Sequence, residues 1–272
     1  MRYNRIDNCI FMGNVDQLIY NMNTLQTQVL KDLVRFFEDV GKKQKLFFNE
    51  RDLQVNLACF LKEKGYNVEL EYKVSIAFLI EKLGLKDKQD QWKKQIFPWN
   101  EKELAIDIVV RKGNDWLPIE LKYKTKSVTL SVHERFGEEY KKECEIIKNQ
   151  SAQDLGRYGF WKDVRRLEIT SAAFKNVVGG IAVFYTNDKN YVECPKSNSG
   201  KLAQYRDFAM NVNERKKGEM AWRHNEDDGK FENGEKGKEY PNFSISNSYQ
   251  FEYEELDVGY CWILSVPKTE SL

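Results

Sequence analysis

Residues Leu104–Lys126 read LAIDIVVRKGNDWLPIELKYKTK, and this stretch decides the fold. Apolar residues alternate on either side of Gly113-Asn114, a pair that tolerates the positive φ of a tight hairpin. If those two residues form the turn, Lys112 pairs with Asp115 and Asp107 falls directly opposite Glu120. Strand alternation then puts Ile106, Ile108, Val110, Leu117, Ile119, Leu121 and Tyr123 on one core face. Asp107, Glu120 and Lys122 share the other.

Two carboxylates facing each other on adjacent strands repel. Water can screen them, or a cation can sit between them; Mg²⁺ favours one or two carboxylates completed by water and phosphate oxygens. Lys122, one step along the same face, is placed to orient an attacking water or help deprotonate it. Taken singly, an Asp and a Glu here are ordinary polar residues on the solvent face of a hairpin. The spacing D-x12-E-x-K and the apolar opposite face favour the chemical reading.

Outward from the hairpin, Val15, Leu18, Met22, Leu25, Val29, Leu33, Phe36 and Val40 form one helical stripe. Asn14 is its expected cap and Gly41 its stop. A second helix is expected from Glu50 to Lys64, capped by Asn49 and closed by Gly65, followed by a strand over Val68, Leu70 and Tyr72. A short helix and a polar, Trp-containing insertion are expected over 75–100. Val132–Phe174 reads as mostly helical, interrupted at Gly156 and Gly159, and VVGGIAVFY (177–185) as a buried strand. A helix near Lys201–Met210, a mobile charged segment at 211–240 and strands near 249–253 and 260–266 complete the chain. The order implies an α/β fold with a mixed central sheet flanked by helices, in a single domain over 1–272 with its core at 49–187.

Asp107, followed after twelve residues by Glu120-Leu121-Lys122, resembles the PD-(D/E)XK signature of the restriction-endonuclease-like nuclease superfamily. Ile106 stands where the superfamily's name carries Pro. The resemblance implies a restriction-endonuclease-like core and a metal-dependent nuclease, with Asp107 and Glu120 holding Mg²⁺ or Mn²⁺ and Lys122 positioning the nucleophile. It further implies an acidic ligand from a preceding helix. Glu50 is the candidate, because it lies within about 20° of Leu57 and Leu61 on the helical wheel and so faces the sheet. An acid in a first helical turn is also favoured by the helix dipole alone.

By the same resemblance, a Gln and a Tyr from a later helix correspond to Gln153 and Tyr158. Arg157, with Lys162, Arg165 and Arg166, makes that segment basic enough to meet phosphates, and Asp163 and Glu168 read as counter-charges on a solvated face. Lys124 extends the basic run beyond Lys122.

Composition bounds the function. The chain has 43 Lys and Arg against 42 Asp and Glu, a net charge of +1, which excludes indiscriminate DNA coating but permits binding through a limited cleft. Its longest apolar runs, about six residues, fall far short of the ~20 a bilayer requires. Five cysteines without a CxxC, and two histidines, point to a reducing cytoplasm and argue against zinc. The polar start lacks the apolar core of a signal peptide. The expected partner is DNA, with RNA open and a homodimer compatible. The expected role is prokaryotic restriction, phage defence or DNA processing. The rival is a catalytically silent binding or interaction subunit.

Overall fold

The computed structural model describes residues 24–43, 45–86, 102–150, 152–193, 204–211, 215–223, 239–250 and 253–270. Helix α1 (Leu25–Lys42) is capped by the Thr24 hydroxyl and buries Val29, Leu33, Phe36, Phe37 and Val40. It ends at Lys42, one residue past the expected stop at Gly41, where a Cβ would lie 3.5 Å from Leu256 Cδ2. Asn14 and the start of the stripe lie outside the described residues, as does the 87–101 insertion. Helix α2 (Glu50–Glu63) begins as expected, with the Asn49 side chain accepting the Asp52 N–H, and Gly65 turns the chain at φ +86. Strand β1 (Asn67–Ser75) follows, and Ser75 caps α3 (Ile76–Lys82).

Strands β2 (Glu103–Lys112) and β3 (Asp115–Tyr123) form the hairpin in the expected register, from Lys112 opposite Asp115 to Ile108 opposite Ile119. The stretch after β3 departs from the helical expectation. Strand β4 (Val128–Leu130), β5 (His133–Arg135), β6 (Glu138–Tyr140) and β7 (Cys144–Ile147) make two small ribbons, β4 with β7 and β5 with β6. Phe136 and Gly137 between β5 and β6 both take positive φ, which no α-helix accommodates. Among the described residues of this stretch only α4 (Gln153–Ala173) is helical, and Gly156 and Gly159 lie inside it.

Strand β8 (Gly179–Thr186) is buried throughout. The helix expected near 201–210 is reduced, among the described residues, to one 3₁₀ turn at Arg206–Phe208. Part of the charged segment is likewise ordered: β9 (Arg215–Met220) pairs with β10 (Phe243–Gln250), and Met220, Ala221 and Trp222 are buried. Residues 224–238 lie outside the described residues. Strands β11 (Glu254–Leu256) and β12 (Gly259–Pro267) close the sheet.

The six-stranded sheet has the order β1-β2-β3-β8-β12-β11 and is mixed, because β3 and β8 run parallel while every other neighbouring pair is antiparallel. The parallel pair requires a crossover, and α4 supplies it. One core packs α1 and α2 on Ile108, Val110, Ile119, Leu121, Tyr123, Ile181, Val183 and Tyr185. The opposite core packs α4, β9 and β10 on Ala182, Phe184, Trp262 and Leu264. Ile106 leaves the first group and joins α3, Val109 and Ile169 in a third cluster. The chain is thus a mixed α/β structure, and the face of β3 carrying Glu120 and Lys122 lies under α4.

Candidate functional site

The ladder between β2 and β3 ends one pair short of Asp107 and Glu120, and side chains take over from it. Asp107 Oδ2 accepts the Leu121 N–H at 2.6 Å, and Glu120 Oε2 faces the Asp107 N–H at 3.4 Å. The β1 side opens at the same place. Pairing passes from Leu70–Ile108 to Tyr72–Ile106, and Glu71 between them adopts φ +52, in the left-handed region. Gln54 of α2 fills this second gap, its Nε2 donating to the Asp107 carbonyl (2.7 Å) and to Glu71 Oε1 (2.9 Å). Arg51 Nη1 holds both Gln54 Oε1 (2.6 Å) and Glu71 Oε1 (3.0 Å). Asp107 therefore sits where β2 loses both neighbours, and its backbone is satisfied by side chains.

Glu50 arrives from the α2 N-terminus. Its Oε2 accepts the Tyr123 N–H at 2.9 Å, the next outward amide of β3 after Leu121. The expectation that Glu50 turns toward the sheet is thus met by a backbone contact, while much of the residue stays exposed. Lys122 points the other way along β3 and pairs with Asp163 Oδ2 of α4 at 2.8 Å; Arg166 stands 3.7 Å from Asp163 Oδ1.

Burial sets the electrostatics. It raises the Asp107 pKa to about 6, the charges of Asp163 and Glu50 adding to the effect against the Leu121 hydrogen bond. Glu120, 4% exposed, is pushed well above the usual carboxylate range by burial first and then by Asp107 and Asp163. For Lys122, burial works against the charge, but Asp163, Glu50 and Glu120 outweigh it and the pKa is raised. Burial and the neighbouring Lys122 lower that of Lys124.

Among the described residues, no three His, Cys, Asp or Glu side chains converge as a metal-holding group. Asp107 and Glu120 nonetheless suit a hard divalent ion that takes two carboxylates and keeps the rest of its shell as water or phosphate oxygen. Glu120 Oε1 is buried with no hydrogen-bond partner, and an ion would supply one.

The remaining expected residues do not join this group. Gln153 donates to Asp188 Oδ2 at 2.6 Å. Arg157 is 1% exposed, donates to the Asn190 carbonyl and lies over the rings of Tyr191 and Tyr205, so the phosphate contact read from the sequence is closed to it. Tyr158 donates to the Pro241 carbonyl at 2.9 Å and stacks on Trp222, as a core residue. Lys124 is half-buried, its Cγ facing Gly156. Conversely, Gln54, Glu71 and Asp163 belong to the site. Gln54 stands four residues after Glu50 on the same helical face, the one signal that could have found it.

No family model matches the chain, and neither a curated protein nor a solved structure matches it.

Proposed function

We propose that the chain is a Mg²⁺- or Mn²⁺-dependent nuclease that hydrolyses DNA phosphodiester bonds on a restriction-endonuclease-like PD-(D/E)XK core. The observation that carries the reading is the opened fork at Asp107 and Glu120: a half-buried and a buried carboxylate that disfavour each other's charge, the buried one with an orphaned oxygen, beside a protonated lysine. A fold spends stability on such an arrangement when the charges have work to do.

Asp107 and Glu120 would hold the ion, with Glu50 as an additional direct or water-mediated ligand. The ion lowers the pKa of water and stabilises charge on the phosphate in transit. Lys122, kept protonated by Asp163, contributes positive charge and orientation to the nucleophile rather than removing its proton. Lys124 is the nearest further cation along the chain for a phosphate. DNA is the proposed substrate, with RNA as the variant to test beside it. A cytoplasmic enzyme of restriction, phage defence or DNA processing suits this chemistry, and a dimer would suit double-strand cleavage.

The test is a panel of plasmid, linear, single-stranded and RNA substrates with Mg²⁺ or Mn²⁺. Cleavage abolished by chelator and by Asp107→Ala is the expected result; intact substrates throughout would sink the enzyme. A second reading, a nuclease-fold subunit that binds without cutting, is favoured by the depth of Glu120 and by the Lys122–Asp163 pair that occupies the lysine. It requires nucleic-acid binding that is indifferent to metal and to Asp107, Glu120 and Lys122.

A further inference from the structure

We propose that a cleft at the far end of the β2–β3–α4 seam binds one nucleobase of the strand whose phosphodiester lies at Asp107 and Glu120; this rests on the nuclease reading. The cleft has a volume of about 540 Å³. Two aromatic pairs wall it: Tyr72 with Trp116, centroids 5.9 Å apart, and Phe78 with Phe174, also 5.9 Å. Ile106, Val109 and Pro118 line the apolar remainder. Phe78 is 45% exposed, a large ring left in water at the rim.

Cations surround these rings. Arg111 stands 5.1 Å from the Trp116 centroid and Lys82 Nζ 5.3 Å from that of Phe78. Lys73 and Lys175 lie in the lining itself; Lys73 pairs with Glu103 at 3.0 Å. Flat apolar walls under a positive rim suit a planar ring that carries an anion, and a nucleotide is such a ligand. Asn176, exposed in the lining, can meet the polar edge of a base.

The cleft continues the proposed site. Glu120, Pro118 and Trp116 alternate along one face of β3, and Asp107, Val109 and Arg111 along β2. Asp163, Arg166, Thr170 and Phe174 run over them on α4. Four strand residues from Glu120 to Trp116 span about 13 Å, short enough for one strand to occupy both places.

The test uses the full chain carrying Asp107→Asn, with chelator, and a short single-stranded oligodeoxynucleotide bearing a fluorescent base analogue. Binding should quench the analogue. Phe78→Ala and Phe174→Ala should each weaken affinity about 5- to 150-fold, the loss of one stacking ring. An unlabelled oligomer made abasic at that position should displace the reporter oligomer from the unaltered cleft as weakly, read by competition. Exposed Phe78 can be removed without opening the core, and an unchanged circular dichroism spectrum verifies this. Equal affinity in both Phe variants, or for the abasic oligomer, overturns the proposal. So does self-association that Phe78→Ala abolishes without any oligonucleotide binding, which would make the cleft a protein interface. If wild-type protein cuts nothing but the Phe variants still bind the oligomer more weakly, the cleft stands and the nuclease reading falls. If wild-type protein cuts and the abasic oligomer binds equally well, the reverse holds.

Discussion

Asp107 and Glu120 each complete the other's strand: the Asp107 carboxylate accepts an amide of β3 at 2.6 Å, and the Glu120 carboxylate faces the Asp107 amide at 3.4 Å. The groups proposed to hold a metal therefore also close a ladder that has come apart. Substitutions should separate the two duties.

Asp107→Asn keeps an acceptor for the Leu121 N–H and removes a charge that its surroundings disfavour, so it should be at least as stable as wild type at pH 8. Asp107→Ala strands that N–H and should fall below Asp107→Asn by about 1–3 kcal/mol. Both should lack cleavage. Chemical denaturation beside the cleavage panel checks this; equal stability of the two variants would mean that the Leu121 contact contributes nothing.

The fork and the sheet register were legible because a two-residue turn fixes which residues face each other. Which side chains of other elements meet the hairpin was not. No turn ties β1 to β2, so nothing in the sequence placed Glu71 beside Asp107. Asp163 reads as a counter-charge of Arg166 one turn away, and only the crossover between parallel β3 and β8 sets it over Lys122. Arg157 and Tyr158 misled because α4 is buried nearly all round, so helical periodicity does not tell inside from outside there. Charged residues at 132–149 imitate a helix until Phe136 takes its positive φ.

Stability should fall with rising pH when chelator is present. The unfolded chain releases the Asp107 proton near 3.8, whereas burial in the folded protein holds it to about 6. Between those values the folded state binds more protons, so stability drops as pH climbs from about 4 through 6, by on the order of 3 kcal/mol. Glu120 is shifted in the same direction. A divalent ion competes with these protons, so stabilisation by Mn²⁺ should grow across the same range. Melting temperatures against pH, with chelator and with Mn²⁺, give the answer; a constant gap between the two curves contradicts it.

Lys122 and Asp163 should behave as one unit. Removing Lys122 leaves buried Asp163 with Arg166 at 3.7 Å and beside Asp107 and Glu120, and removing Asp163 takes the ion-pair partner from half-buried Lys122; each should cost about 3 kcal/mol, and the double Ala variant should lose less than the two singly combined. Asp163→Asn also withdraws the charge that raises the Lys122 pKa, so the alkaline limb of the cleavage profile should move to lower pH. Simple additivity in a double-mutant cycle would show the pair to be uncoupled.

Two glycines of α4 should respond oppositely. A Cβ at Gly156 would collide with the Tyr191 hydroxyl and press on Lys124 Cγ at 3.3 Å, whereas one at Gly159 would lie 3.6 Å from Lys122 Cε, an ordinary contact. Gly156→Ala should therefore destabilise by about 1–3 kcal/mol through overpacking. Gly159→Ala should gain up to ~1 kcal/mol of helix propensity. Thermal melts of the two variants suffice.

Glu168, which reads in the sequence as a solvated counter-charge, is fully buried and anchors β10 to α4. Its carboxylate accepts the N–H groups of Ser246 (2.9 Å) and Asn247 (2.8 Å) and the Tyr249 hydroxyl (2.8 Å), and pairs with Arg165 at 2.9 Å. Gln in its place brings an NH₂ donor against donors, so Glu168→Gln should cost about 3 kcal/mol or more. The loss should be local. Amides of β9 and β10 should exchange faster with solvent, while those of β2, β3 and β8, held by the sheet ladder and two packed cores, keep their protection. Hydrogen exchange by mass spectrometry distinguishes this from general loosening. Uniform loss of protection would mean that β9–β10 is one cooperative unit with the sheet, and that Glu168 supports the proposed site by way of α4.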